Sequence, residues 1–413
     1  MRSVKIITSL IVVVTFMPVL GQDEGQVQQL QFYIDQAQTS NPSIQAYELR
    51  YNIAKEKENE ANHLPNTEFG FGYFLSEPET RTGAQRARFS ARQMLPWFGT
   101  VSTRKQYATA MAETDYVDYI IAKRKLALGV AISYYKLYGI NAKQKVLEQN
   151  IQLLQTYEQL ALSSVEVGKA SAVDVLQLQI RQNELQQQKE VLQEQFLAEQ
   201  AAFNALLNRD GDIAVEVVQK MTIPSTDLIS MDSLQLNPEL LRFDKMYESV
   251  TQAEFLNQKE RAPMLGFGLD YVPVDERPDM SFSDNGKDIV MPMITLSVPI
   301  FNNRYDSRTK QNDLRRQEIE FQKQERFNVL ASAFAKAVSR RNEARIAINT
   351  QTKNLRQAKD AEQILIKNYE TGTIDFNDVL DIQELQLKFQ INKIQSVQLY
   401  YVQSALINYL INK

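Results

Sequence analysis

Two stretches, VEVGKASAVDVLQLQ at 165–179 and YETGTIDFNDVLDIQ at 369–383, decide how this chain is read. Aligned, they share Glu166 with Glu370, Gly168 with Gly372, Asp174 with Asp378, Val175 with Val379, Leu176 with Leu380 and Gln179 with Gln383, all at one constant offset. Each holds a glycine, the residue best able to take the left-handed conformation that ends a helix. Each then places an aspartate where a second helix would begin, with free N–H groups and the positive end of the dipole to meet it. The same helix–turn–helix is therefore expected twice.

The helix breakers on either side support this. No proline lies between Pro96 and Pro224 and none follows Pro299, while Gly372 is the only glycine from Asn302 to Lys413. These Gln-, Glu-, Lys-, Leu- and Ala-rich stretches predict helices over 102–167 and 302–370, returning over 172–208 and 376–411. A helix of about 65 residues runs roughly 100 Å. Ile140, Leu147, Leu154 and Ala161 recur every seven residues, as do Leu178, Leu185, Leu192 and Leu206 around Glu199. That spacing marks a coiled-coil seam. Helical stretches near 43–63 and 238–262 would supply the length that the shorter return helices lack, giving a rod of four helical columns.

Between these helices the period changes to two. Phe69, Phe71 and Tyr73 alternate with Gly70 and Gly72, and Leu265, Phe267, Leu269 and Tyr271 alternate with Gly266, Gly268 and Asp270. Each run precedes a polar loop and a second strand ending in LPWFG or VPIFN, where Pro96 and Pro299 are expected to open the next helix near its first turn. Two hairpins with aromatics on one face and glycine on the other cannot close on themselves. Aromatics outward and small residues inward suit a membrane barrel. The alternative is a small β-sandwich capping a coiled coil.

Composition narrows the function. The 413 residues include no cysteine, carry a formal net charge of −4 and contain one histidine, His63. Disulfides, thiolate catalysis, a lipid-modified cysteine and a histidine-based metal site or triad are all excluded or strongly disfavoured, and nothing suggests a nucleic-acid partner. Arg2 and Lys5 precede an apolar run from Ile6 to Leu20, with Val19 and Gly21 small enough for a cleavage site, so residues 1–21 are expected to be a signal peptide.

Signal, paired β-hairpins and duplicated helical hairpins together resemble the TolC family of outer-membrane efflux channels, most specifically in VGKASAVDVL, TGTIDFNDVL, LPWFG and VPIFN. The resemblance implies a mainly α chain with a membrane β-barrel portion. It forms a homotrimer in which each protomer gives four β-strands to one twelve-stranded barrel, on a coiled-coil tunnel in the periplasm. It divides the chain into a first repeat over 22–230, with β-hairpin 66–95 and helical hairpin 100–208, and a second over 231–413, with β-hairpin 264–298 and helical hairpin 302–411. Partners would be a periplasmic adaptor (a membrane fusion protein), an inner-membrane transporter of resistance-nodulation-division or ABC type, and outer-membrane lipid.

By the same resemblance, Gly168, Asp174, Val175, Leu176, Gly372, Val379 and Leu380 form adaptor-contact tips. Asp378, Asp381 and Tyr369 stand at the periplasmic entrance. Ile374 and Ala170 stand where some channels carry an arginine, which removes one candidate latch. Arg86, Arg88 and Arg92 share a strand face opposite Phe89 and are candidates for the barrel lumen, with Asp270 a possible ion partner. Met291 and Met293 are assigned to lipid contact. No cofactor and no catalysis are expected. The rival function is a soluble periplasmic coiled-coil adaptor or scaffold.

Overall fold

In a computed structural model of the protein, residues 24–168, 171–227, 232–279, 281–371, 373–374 and 376–412 are described. The expected signal peptide, Ala170, Met280 and Gly372 lie outside them. Among the described residues the chain runs α1 (Glu24–Ser40), α2 (Pro42–Glu60), β1 (Glu68–Tyr73), β2 (Glu79–Thr80), β3 (Gly83–Ala84), β4 (Ala87–Leu95), α3 (Thr100–Glu166) and α4 (Ala172–Leu206). A short 3-10 turn then leads into α5 (Pro238–Glu260), β5 (Met264–Val272), β6 (Ile289–Ser297), α6 (Arg304–Glu370) and α7 (Phe376–Leu410).

The chain is mostly helical. Helices α3 and α6 have 67 residues each, about 100 Å of rise, and fold back through α4 and α7 of 35 residues each. Helix α3 packs on α4, α6 on α7, and α3 on α7. The seven-residue rows form the seam: Leu147, Leu154, Ala161, Leu178 and Leu185 are at most 1% exposed.

Each short return helix is extended by a second helix, and an asparagine makes the splice. Asn41 Oδ1 accepts the Ser43 N–H at 2.9 Å while its Nδ2 donates to the Leu206 carbonyl at 2.9 Å. Asn237 Oδ1 accepts the Glu239 N–H at 2.8 Å and its Nδ2 donates to the Leu410 carbonyl at 2.9 Å. A side-chain amide holds an acceptor and a donor together. One residue thus caps the start of α2 or α5 and the open end of α4 or α7 beneath it. Proline at the first helical position costs nothing there.

Helix α1 was not anticipated, although Leu30, Tyr33, Ile34 and Ala37 follow helical spacing in its Gln-rich sequence. It packs on α3. Segment 207–227 is hung from the helices by tyrosine hydroxyls, which accept backbone N–H groups: Glu216 on Tyr33 at 3.1 Å, Val218 on Tyr134 at 3.2 Å and Met221 on Tyr138 at 3.2 Å.

The four long strands make one antiparallel sheet in the order β1-β4-β5-β6, with the two-residue pair β2–β3 in the first loop. Pairing of β4 with β5 joins the two hairpins and leaves β1 and β6 as edges. Opposed residues share a face, so the register sets Phe69, Phe71, Tyr73, Phe89, Phe267 and Ile294 on one side. That side is bare: Phe69 is 82% exposed and Ile294 76%. Gly70, Gly72, Arg92, Gly268 and Asp270 occupy the other.

Two expectations are corrected. Met291 pairs with Asp270 and Met293 with Gly268, so both methionines lie on the glycine face rather than the aromatic one. Met293 occupies the space a Cβ at Gly268 would contact, at 3.4 Å. The strand-ending prolines also stand ahead of the helices. Helix α3 begins at Thr100 after Gly99, whose φ of 84° makes the entry turn, and α6 begins at Arg304, five residues after Pro299.

Candidate functional site: the paired helical tips

The far ends of the two hairpins lie side by side, because Val175, Tyr369, Phe376 and Val379 belong to one buried cluster with Leu147, Leu154 and Leu178. In the first tip the Gly168 N–H donates to the Val165 carbonyl at 2.9 Å, and its φ is 73°. No atom lies within 4 Å of a Cβ built there, so backbone conformation, not crowding, demands glycine. Ser171 Oγ accepts the Val173 N–H at 3.1 Å and the Asp174 carboxylate accepts the Ser171 N–H at 3.2 Å. This is a capping box, and it leaves Asp174 buried. Val175 is buried beneath it, while Val167, Val173 and Leu176 are exposed.

The second tip is built on rings. Phe376, 1% exposed, meets the edge of Tyr369 at 4.9 Å between centroids and Tyr157 of α3 at 5.8 Å. Such edge-to-face pairs add to the gain from burial. The Tyr157 hydroxyl donates to Glu362 at 2.7 Å, and burial raises its pKa above the usual tyrosine range. The Tyr369 hydroxyl is buried without a partner. Thr371 and Thr373 hydroxyls close the helix end on the Asn368 carbonyl at 2.9 and 2.8 Å. Val379 is fully buried, Leu380 half-buried, and Asp378 and Asp381 are both exposed. Spaced three apart, these carboxylates neighbour one another on one helical face.

The structure thus gathers Tyr369 and Val379 with Phe376 into a core and leaves Asp378 and Asp381 in water. Gly372 lies outside the described residues. Sequence reasoning missed Tyr157 and Phe376, and also a buried amide group between the hairpins. There Gln383 Nε2 donates to Asn150 at 2.5 Å and Asn150 Nδ2 donates to Gln390 at 3.0 Å. Asn150 and Tyr157 follow Leu147 and Leu154 by three, the second seam position of a heptad, so the signal was present.

The three strand arginines separate. Arg88 pairs with the buried Asp270, as the sequence suggested. Arg86 lies outside β4 and pairs with Asp275 at 2.5 Å and Glu77 at 3.5 Å in the loops. Arg92 is exposed opposite Glu68. Among the described residues no helix is long and apolar enough to cross a membrane, and no group of three or more His, Cys, Asp or Glu could hold a metal.

The buried Glu239 and the half-buried Asp227 brace the helices of the second half of the chain. Burial pushes the Glu239 carboxyl up, but Tyr409, Arg326 (Nε at 2.6 Å) and Lys125 outweigh it and hold it below the usual carboxylate range. Burial likewise opposes Asp227, and the Tyr400 hydroxyl at 2.5 Å with Arg345 at 2.8 Å and Arg341 holds its carboxyl low.

The chain thus sets two tips on a rod of paired helices, topped by an open sheet with its aromatics outward. Residues 33–209 match the family model described as outer membrane efflux protein. Among solved structures, the outer membrane protein VceC from Vibrio cholerae superposes with a TM-score of 0.71 at 17% identity, over 93% of this chain and 96% of that one. The CmeC outer membrane channel of Campylobacter jejuni gives 0.70 at 12% identity, over 99% and 94%. The open-state MtrE outer membrane channel of Neisseria gonorrhoeae gives 0.70 at 15% identity, over 93% and 88%. At these identities the likeness is one of fold. No curated protein matches the chain significantly.

Proposed function

We propose that this protein is the outer-membrane exit duct of a tripartite efflux or secretion system in a Gram-negative bacterium. It is exported through a signal at 1–21 and assembled as a homotrimer. One observation carries the reading. A four-stranded sheet with exposed aromatics on one face and two unpaired edges, β1 and β6, stands on helices about 100 Å long. In water such edges and such a face are liabilities. Three copies joined β1 to β6 would remove every edge, giving a twelve-stranded barrel with Phe69, Phe71 and Phe267 toward lipid.

Below the barrel the two repeats, 22–230 and 231–413, supply paired hairpins to a periplasmic tunnel. Asp378 and Asp381 of three chains place six carboxylates around its entrance, with Tyr369 packed behind them. The ring attracts cations and repels itself. The adaptor meets the tips through exposed Val167, Val173 and Leu176, held by the turns at Gly168 and Gly372. Asp174, Val175, Val379 and Leu380 shape that surface from beneath. Arg88 and Arg92 face the lumen. The duct is passive: an inner-membrane transporter of resistance-nodulation-division or ABC type, joined by the adaptor, supplies the energy.

Native mass measurement in mild detergent tests the assembly, with a trimer expected and a monomer overturning the barrel. Planar-bilayer recordings test the entrance. A low-conductance state blocked by multivalent cations from the periplasmic side is expected, and equal block after replacing Asp378 and Asp381 with alanine would remove them from the pore.

A further inference from the structure

Where β4 turns into α3, a cleft of about 550 Å³ opens between the sheet and the helices, within the size range of small-molecule sites. Its apolar wall is Leu64, Leu95, Trp97, Phe98, Leu265 and Phe267. Leu95 pairs with Leu265 and Phe267 follows two residues on, so the wall continues the aromatic outer face of the sheet. Phe98 is 77% exposed and packs edge-on against Trp97 at 5.7 Å. Ile300 and Phe301, at the corresponding exit of β6, are bare as well.

The opposite wall is polar and basic. Lys105 lines the cleft together with Ser102, Val101 and Gly99. The Lys259 amine lies 3.6 Å from where a Cβ on Gly99 would be. Arg104 reaches over to the His63 carbonyl at 3.5 Å. Glu58 is the one carboxylate paired with Lys105, at 3.3 Å. Gly99 offers no side-chain cap to α3; the Thr100 N–H donates to the Trp97 carbonyl at 3.0 Å, and the buried Thr100 hydroxyl has no partner. Two amines and the positive end of the helix dipole favour an anion. Leucine and aromatic side chains directly above favour hydrocarbon.

We propose that this cleft binds one acidic glycerophospholipid per protomer. Its phosphate would lie at the Lys105–Lys259 wall and an acyl chain against Leu64, Leu95 and Phe267. The inference rests on the outer-membrane reading, which sets the β4–α3 junction at the level of the periplasmic leaflet's headgroups. There the lipid would seal the joint between barrel and tunnel, a place where apolar strand residues and lysine amines are both left open within one protomer.

The test is native mass spectrometry of the full-length protein released from membranes and supplied with phosphatidylglycerol or phosphatidylcholine. The wild type is expected to keep one phosphatidylglycerol per protomer and to lose phosphatidylcholine. An exposed lysine beside an anionic headgroup gives roughly fivefold in affinity, so K105Q/K259Q should weaken retention about 25-fold. Val101→Trp, which fills the cleft and spares the lysines, should abolish retention. Equal retention of both lipids, or retention unchanged in either variant, overturns the proposal. Fractionation separates this from the parent reading: wild type absent from the outer membrane defeats that reading, whereas wild type that inserts and keeps no phosphatidylglycerol defeats only the lipid site.

Discussion

The two tips carry the same letters and use them differently. Asp174 and Asp378 are equivalent in the two motifs, yet Asp174 is buried and bonded to the Ser171 N–H, while Asp378 stands exposed beside Asp381. The first tip holds its shape with a capping box and presents Val173 and Leu176 to the outside. The second places Phe376 where the first has the exposed Ala172, and holds its shape with three rings packed edge to face. A hairpin end needs only one device to fix it. Once rings do the fixing, the aspartate of the second tip is free to act through its charge.

Removing the rings should have the largest effect. Phe376→Ala empties a fully buried aromatic site and is expected to cost about 3 kcal/mol or more. Early proteolysis at 371–376 would report it, with residues 167–172 staying resistant. Equal fraying of both tips would erase the distinction drawn here. Ala172→Phe, on an exposed position, should stay within about 0.5 kcal/mol.

The splices carry the comparison up the columns. Asn237 is 1% exposed, whereas Asn41 is partly accessible to water. Replacing either with aspartate keeps the N-terminal cap but turns its donor toward Leu410 or Leu206 into a repelled oxygen. The cost at Asn237 should be about 2 kcal/mol and at Asn41 less, since only the first stays dry. Urea midpoints of the two variants check the order, and a larger loss at Asn41 would reverse it.

The aspartates themselves give a smaller, crossed pattern. Asp174→Ala should lower stability by about 1 kcal/mol through the lost cap and leave cation block alone. Asp378→Ala should leave stability within about 0.5 kcal/mol and reduce the block. If both variants behaved alike, the tips would not have diverged.

Acid should act on the bracing of α6 and α7, and weakly until the pH is low. Glu239 and Asp227 are held below their unfolded pKa values, so their stabilisation is complete above that range, near pH 4 to 5. It is lost as the pH falls through the depressed native values. Glu239→Gln, which resembles the protonated acid, should lower stability at neutral pH and so remove part of this acid step. An unaltered acid transition, followed by thermal melting across pH, would exclude Glu239 as its source.

The sequence by itself determined the long helices, the first turn and the strands with their alternation. Their signals are local: proline and glycine are absent where helices run, apolar rows repeat every seven residues, and Phe69 to Tyr73 alternate with glycine. Tertiary structure decided what these groups do. Only the meeting of α2 with α4, and of α5 with α7, shows that Asn41 and Asn237 also close the helix below. Only the β5–β6 register moves Met291 and Met293 from the aromatic face to the glycine face, because a strand's alternation gives two faces without saying which neighbour each residue opposes. The fates of Asp174 and Asp378 were equally hidden. Whether a carboxylate is used up as a cap or left in water depends on which ring, brought from a residue as distant as Tyr157, already holds the turn.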